Sequence, residues 1–169
     1  MTMDEPPRTL APYTPALDRG ARALAVAAVV CAAVELGVGP HRVLSVVFVV
    51  TGLLIGYGAG RQLGAMLAES AMDAPVVSEA ELALVAPAQP SPLLVAALGI
   101  GVLIAIAVPL GWHVPTPLPG GFAAGAVQFT KQVRGLRGVE SKRRGQILRP
   151  LGQLSFDGDE LRLRPSGVG

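Results

Sequence analysis

The sequence predicts an all-α membrane protein: a bundle of three transmembrane helices, the first two a tight hairpin, with a small cytoplasmic C-terminal tail containing a β-hairpin. Three observations predict it. First, 51% of the 169 residues are apolar but only 15% are charged, where a soluble domain usually carries about a quarter. Second, the deficit comes from long runs nearly free of charge. Third, Gly52, Gly56, Gly60 and Gly64 recur every fourth residue in VVFVVTGLLIGYGAGRQLGAML, and Ala68 extends the row. Spacing of four stacks residues on one helix face. A ridge without side chains lets another backbone come very close, which is how helices associate in lipid. The row reads as a glycine zipper.

The elements follow in order. Residues 1–20 are rich in Pro and Thr without an apolar period, and read as a disordered tail. Residues 21–38 form the first span, near the lower length limit for crossing about 30 Å of hydrocarbon. Gly39 and Pro40 stop it, so the connection is a tight helical turn. Residues 43–60 form the second span between Arg42 and Arg61, with the helix extending to about residue 68. In the loop that follows, SEAELALVA reads as a short helix capped by Ser78, with Glu81 completing a capping box. Residues 93–112 form the third span, where Ala97, Gly101 and Ala105 repeat the small-residue spacing and Pro109 kinks or ends the helix. Residues 113–130 are turn-rich and then apolar, too short to span, and read as interfacial or re-entrant, or as a loop into an amphipathic helix. Residues 131–169 are a basic tail with a hairpin at 147–164, turning at Asp157-Gly158 with Leu154 opposite Leu161. An isolated hairpin is marginal in water, so this one needs a partner surface.

Charge placement bears on topology. No Lys or Arg lies between Arg61 and Lys131, whereas Lys131, Arg134, Arg137, Lys142, Arg143, Arg144 and Arg149 arrive together. Lys and Arg mark the cytoplasmic side, so the C-terminus is placed inside a bacterial plasma membrane. Three spans then put the N-terminus outside, yet Arg19 and Arg22 favour the inside. The conflict would vanish if the segment after Pro119 crossed as a fourth helix. A cleavable signal peptide is not expected, because the first apolar run starts late and has no small-residue cleavage site.

The candidate sites are few. The small-residue row (Gly52, Gly56, Gly60, Gly64, Ala68, with Ala97, Gly101 and Ala105) either packs against the first and third spans or docks onto another subunit. Glu35 is the one ionisable residue well inside a span. It either pairs with Arg42 or His41 across the turn, or serves proton or ion coupling. The seven cations of the basic tract either meet anionic headgroups or an acidic partner, or form a solvated linker. The tract lacks the interleaved aromatics of a nucleic-acid binder, so no nucleic acid is expected. Cys31 reads as a small buried residue. Its spacing to Glu35 and His41 offers no closed ligand set, so no metal is expected. His41 and His113 read as solitary interfacial residues. Phosphate-loop, H-E-x-x-H, C-x-x-C and G-x-S-x-G patterns are all missing, so neither enzyme activity nor a cofactor is expected.

The expected function is a non-catalytic accessory, assembly or structural subunit of a larger membrane complex, with membrane lipid and other subunits or its own copies as partners. One alternative is a homo-oligomeric pore or transporter component using Glu35. Another is a membrane anchor that recruits a partner through the basic tail.

Overall fold

The computed structural model describes residues 9–38, 41–86, 117–151 and 161–167. Within them the chain runs β1 (Leu10–Pro12), α1 (Tyr13–Val38), α2 (Arg42–Asp73), α3 (Glu79–Leu82), α4 (Leu118–Arg143), β2 (Gly145–Pro150) and β3 (Arg162–Pro165). The expected third span at 93–112, with Ala97, Gly101 and Ala105, lies outside the described residues.

Among the described residues, two helices are long and apolar enough to cross a membrane, Tyr13–Gly37 and Arg42–Asp73. Only 22% of the most apolar window of α2 is buried, whereas the core helix of a soluble protein would hide most of it. The apolar side chains instead face outward: Val26 and Val29 on α1, and Val43, Val47, Leu54 and Ile55 on α2, with Val43 80% and Leu54 70% exposed. This belt stops along α2 near Tyr57. At 32 residues α2 is about 48 Å long, longer than a hydrocarbon core of about 30 Å.

The contacts along each helix set the directions. Thr14 meets Glu140, Asp18 meets Arg137, and Leu24 lies beside Gly125, so α1 and α4 are antiparallel. Gly52, Gly56, Gly60 and Gly64 meet Gly120, Ala124, Gln128 and Lys131 in that order, so α2 and α4 are parallel. Much more of α2 packs on α4 than on α1.

Three expectations are corrected here. Residues 10–20 are not a disordered tail. Leu10 and Ala11 are buried in β1, and Tyr13 and Leu17 are buried in the first turns of α1, which starts eight residues before Ala21. Pro15 does not prevent this, because a proline in the first turn removes no intrahelical hydrogen bond. Residues 118–143 are one helix, not an interfacial segment followed by a tail. Phe122, Ala126, Phe129, Val133, Leu136 and Val139 bury a continuous stripe at three- and four-residue spacing that runs through the supposed boundary at residue 130. The hairpin register also differs. Leu163 pairs with Ile147, not with Gly152 as a two-residue turn at Asp157-Gly158 would require. The observed register buries Ile147 and Leu163 together on the bundle. The expected turn itself, with Leu154, lies outside the described residues.

At the charged end of the bundle the sheet forms a cap, with strand order β1-β2-β3 and both pairs antiparallel. Alternate β2 side chains face opposite ways: Ile147 joins the bundle core, while Leu148 joins a second cluster with Leu10 and Val77, against which Leu82 and Val85 pack. The segment after α2 covers both edges. Its first part bonds to β3 through Leu163 N–H to Pro75 O and Val77 N–H to Leu163 O. Its last part bonds to β1 through Leu10 N–H to Leu84 O and Ala86 N–H to Leu10 O. Between them lies α3, where the Ser78 hydroxyl accepts from Glu81 N–H and the Glu81 carboxylate accepts from Ser78 N–H. The capping box expected from SEAELALVA is formed. An exposed strand edge invites aggregation, and this strap closes both.

Candidate functional site

The glycine groove is the most constrained feature of the bundle. An ideal Cβ at Gly52 would lie 2.9 Å from Gly120 Cα and still closer to its carbonyl. One at Gly56 would lie 2.7 Å from Ala124 Cα, and one at Gly60 2.7 Å from Gln128 Cα. These contacts are backbone on backbone, which no rotamer change relieves. The demand is mutual: Cβ atoms at Gly120 and Gly135 would strike the carbonyls of Phe48 and Gly64. Toward Gly64 the seam loosens, with the nearest atom of α4 at 3.2 Å. Ala68 is partly buried and packs against the core. The occupant of the groove is therefore α4, neither the first span nor a second chain. The signal for it was present in the sequence, since Gly120, Ala124, Gln128 and Gly135 share one face of a helix started at Leu118.

Two buried polar groups lie at the end of the bundle away from the cap. Glu35 is 2% exposed, yet its Oε1 has no hydrogen-bond partner. The expected pairing with Arg42 is not made, because that guanidinium donates to Gly37 O. Ser45 is 1% exposed and its Oγ is equally unpartnered. Glu35 lies in the last turns of α1 and Ser45 in the first turn of α2, so both sit at the same end of the bundle. Gln132, on α4 beside Gly64, buries a third unpartnered oxygen. Buried polar atoms without partners cost about 1–3 kcal/mol each, which makes these positions candidates for a role beyond packing. Cys31 is buried and free one turn before Glu35. Among the described residues there is no group of three His, Cys, Asp or Glu able to hold a metal.

The basic tract divides into two sets. Arg143 Nη1 donates to Met72 O at 2.8 Å and Ala74 O at 2.7 Å, with a longer approach to Ala71 O at 3.4 Å. It thereby satisfies the carbonyls that the end of α2 leaves open. Arg149 lies over the Tyr13 ring at 5.1 Å. Arg137 pairs with Asp18 at 3.2 Å. Lys131 Nζ sits 4.1 Å from the Tyr57 ring centre, while its backbone lies against Gly64. Arg134, Lys142 and Arg144 are exposed. Arg144 ends α4 in the left-handed conformation, at φ 47°.

The cap also holds an open polar cleft of about 400 Å³ lined by Thr14, Asp18, Arg137, Glu140, Gln146 and Ser166. Its Glu140 is engaged: Oε1 accepts from Thr14 Oγ1 and Ile147 N–H, both at 2.9 Å. That carboxylate ties α1, α4 and β2 together. The chain matches no protein-family model, no curated protein and no solved structure.

Proposed function

We propose that this chain is a multi-pass integral membrane protein acting as a non-catalytic accessory, assembly or structural subunit of a larger membrane complex. The observation that carries the reading is the outward apolar belt of α1 and α2. Valine and leucine facing out along a helix this long are matched by acyl chains and by the apolar faces of neighbouring helices. The glycine groove is already filled by α4, so neighbours would meet the belt. The cap keeps its strand edges bonded within the chain, which suits a stable component more than a sheet awaiting an added strand. The Ala-, Val-, Gly- and Arg-rich composition supports a bacterial plasma membrane as its location. The test is purification of the full chain in mild detergent after in-membrane crosslinking. Other membrane subunits at fixed stoichiometry are expected. A chain that crosslinks to nothing and runs alone in several mild detergents overturns the subunit role.

A second reading, a proton- or ion-coupled pore or transporter component, is favoured by Glu35 and Ser45. An intramembrane carboxylate buried without a partner for Oε1 is costly and is a functional candidate for that reason. Reconstituted into liposomes, the native chain would then pass protons or monovalent cations, and Glu35→Gln would remove the flux without unfolding the helices. Equal leak from both proteins sinks this reading.

A further inference from the structure

We propose that Arg22, Arg61, Lys131 and Arg134 form a cationic collar that binds the phosphates of anionic lipid headgroups and holds the cap on the cytoplasmic face. The inference rests on the membrane reading above. The four residues come from three helices and lie at one level of the bundle. Gly60 meets Gln128 and Lys131, so Arg61 is level with Lys131. Arg22 lies between Asp18, which meets Arg137, and Leu24, which meets Gly125, so it falls in the same band. Arg134 is one turn beyond Lys131. At about 1.5 Å per residue the stretch from Gln128 to Arg134 spans about 9 Å, the depth of a headgroup layer in a bilayer with interfaces of several ångströms on each side.

The collar sits where the belt ends. On one side of it are the exposed side chains of Val26, Val29, Leu54 and Ile55. On the other, the exposed large apolar residues among those described reduce to Met66, Met72 and Val76. Arg61 and Arg134 are exposed and make no ion pair among the described residues. Arg22 is 76% exposed while bonded to Asp18 at 2.7 Å. Lys131 lies on Tyr57, an exposed aromatic residue at this level. An amphipathic ring beside an ammonium is the usual furniture of a membrane interface.

The parallel run of α2 and α4 supplies the orientation. β1, the strap, β2 and β3 all meet in the cap, so both described ends of the chain lie on one side. Ala86 lies in the cap, whereas Pro117 lies toward the opposite end, near Phe48. Among the described Lys and Arg residues, Arg42 alone lies at the far end. Positive residues near span ends mark the cytoplasmic side, so the cap is inside. The conflict raised by Arg19 and Arg22 disappears, because the N-terminal strand and the basic helix share that side. Anionic lipid is the occupant favoured over an acidic protein, because the cations lie on three helices at one depth, where the apolar belt ends.

The experiment offers the full chain, in mild detergent, equal amounts of phosphatidylglycerol and phosphatidylcholine, and counts retained lipids by native mass spectrometry. The native chain is expected to prefer phosphatidylglycerol. A cation beside an acidic leaflet contributes about 1 kcal/mol, about fivefold in affinity. The double variant Arg61→Gln, Arg134→Gln should therefore lose about twenty-five-fold of that preference. Lys142→Gln with Arg144→Gln, farther into the cap, should leave it unchanged. Equal retention of the two lipids by the native chain overturns the collar. So does an equal loss in both double variants, or collar-dependent binding of polyglutamate without a lipid preference. Impermeant maleimide on intact cells should label His41→Cys but neither Thr9→Cys nor Gly167→Cys, all in a Cys31→Ser chain; the reverse pattern overturns the orientation. Recovery of the chain in the aqueous fraction is a separate result, and it overturns the membrane reading with the collar.

Discussion

Helix α4 meets its two neighbours in opposite ways. Toward α2 it offers Gly120, Ala124, Gln128 and Gly135, and the facing row is glycine. Toward α1 it offers Phe122, Phe129, Val133 and Leu136, which share a core with Leu17, Leu24 and Cys31. The first seam is backbone on backbone and has no movable part. The second is made of side-chain ends, which can shift by a rotamer or a few tenths of an ångström. One helix thus carries an interface that tolerates substitution and one that does not. Sequence spacing alone, four residues in one case and three or four in the other, barely distinguishes them.

The largest effect should come from forcing a side chain into the rigid seam. Gly56→Leu places its Cβ 2.7 Å from Ala124 Cα, so the helices have to part. Overpacking that a core can absorb costs about 1–3 kcal/mol; here the backbone itself must move, and a loss of at least ~3 kcal/mol is expected. Unfolding by sodium dodecyl sulfate in mixed micelles, followed by helicity, measures it. A loss below ~1 kcal/mol would break the contrast between the seams. Gly64→Ala should be milder than Gly56→Ala, because the nearest atom is 3.2 Å away.

Arg143 is the next most consequential side chain. It is the link by which the end of α4 closes the end of α2, where Met72 and Ala74 carbonyls accept from Nη1. Hydrogen bonds from a charged donor contribute about 1.5–3 kcal/mol each when shielded, and these are partly exposed. Arg143→Ala should therefore cost about 2 kcal/mol in the same titration. Arg143→Lys should recover only part of that, since the shorter side chain does not carry its nitrogen to the position of Nη1. An Ala variant as stable as the native chain would show that the glycine seam alone sets the register of the two helices.

A matched pair of alanines isolates the comparison itself. A Cβ at Gly125 would meet only Leu24 Cδ1, at 3.1 Å, and a methyl end can rotate away. Alanine also favours a helix over glycine by about 1 kcal/mol. Gly125→Ala should thus change stability by no more than about 1 kcal/mol, and in the stabilising direction if Leu24 adjusts. Gly60→Ala gains the same propensity but meets Gln128 Cα at 2.7 Å, so it should destabilise. Two alanines of equal sign and size would erase the distinction.

How much of this was legible in the sequence depends on what each segment had to declare. The row at Gly52, Gly56, Gly60 and Gly64 announced a close backbone contact, because only an approaching backbone explains four absent side chains in register. It could not name its occupant. The partner face runs through Gly120, Ala124 and Gln128 into Lys131, and the change from apolar to basic near residue 130 hid the stripe from Phe122 to Val139 that crosses it. The capping box of Ser78 and Glu81 was readable because it is local. The strand Leu10–Pro12 was not, since three residues with a proline carry no period, and its burial comes from Leu148 and Val85, far along the chain. The burial of Glu35 was foreseeable; the absence of a partner for its Oε1 was not, because Arg42 could have turned either way.

The smallest expected effect separates the cap from the seam by pH. The residues that meet in the seam include no carboxylate. The strap contains Glu81, whose carboxyl is held below the ordinary carboxylate range, first by the Ser78 backbone N–H and then by the Ser78 hydroxyl. A group whose folded pKa is depressed stabilises the fold above its unfolded pKa and loses that contribution as pH falls through the folded value. The strap's capping box should therefore be complete at neutral pH and weaken in acid, below the ordinary carboxylate range. Amide exchange at Leu82, Leu84 and Val85 should accelerate there, relative to the rate expected from solvent pH alone, while exchange along Gly52–Gly64 stays protected. Glu81→Gln keeps an oxygen for Ser78 N–H but cannot titrate, so its strap should show no such acceleration. If native and Gln chains loosen at the same pH, the Ser78–Glu81 capping box is not what fastens the strap.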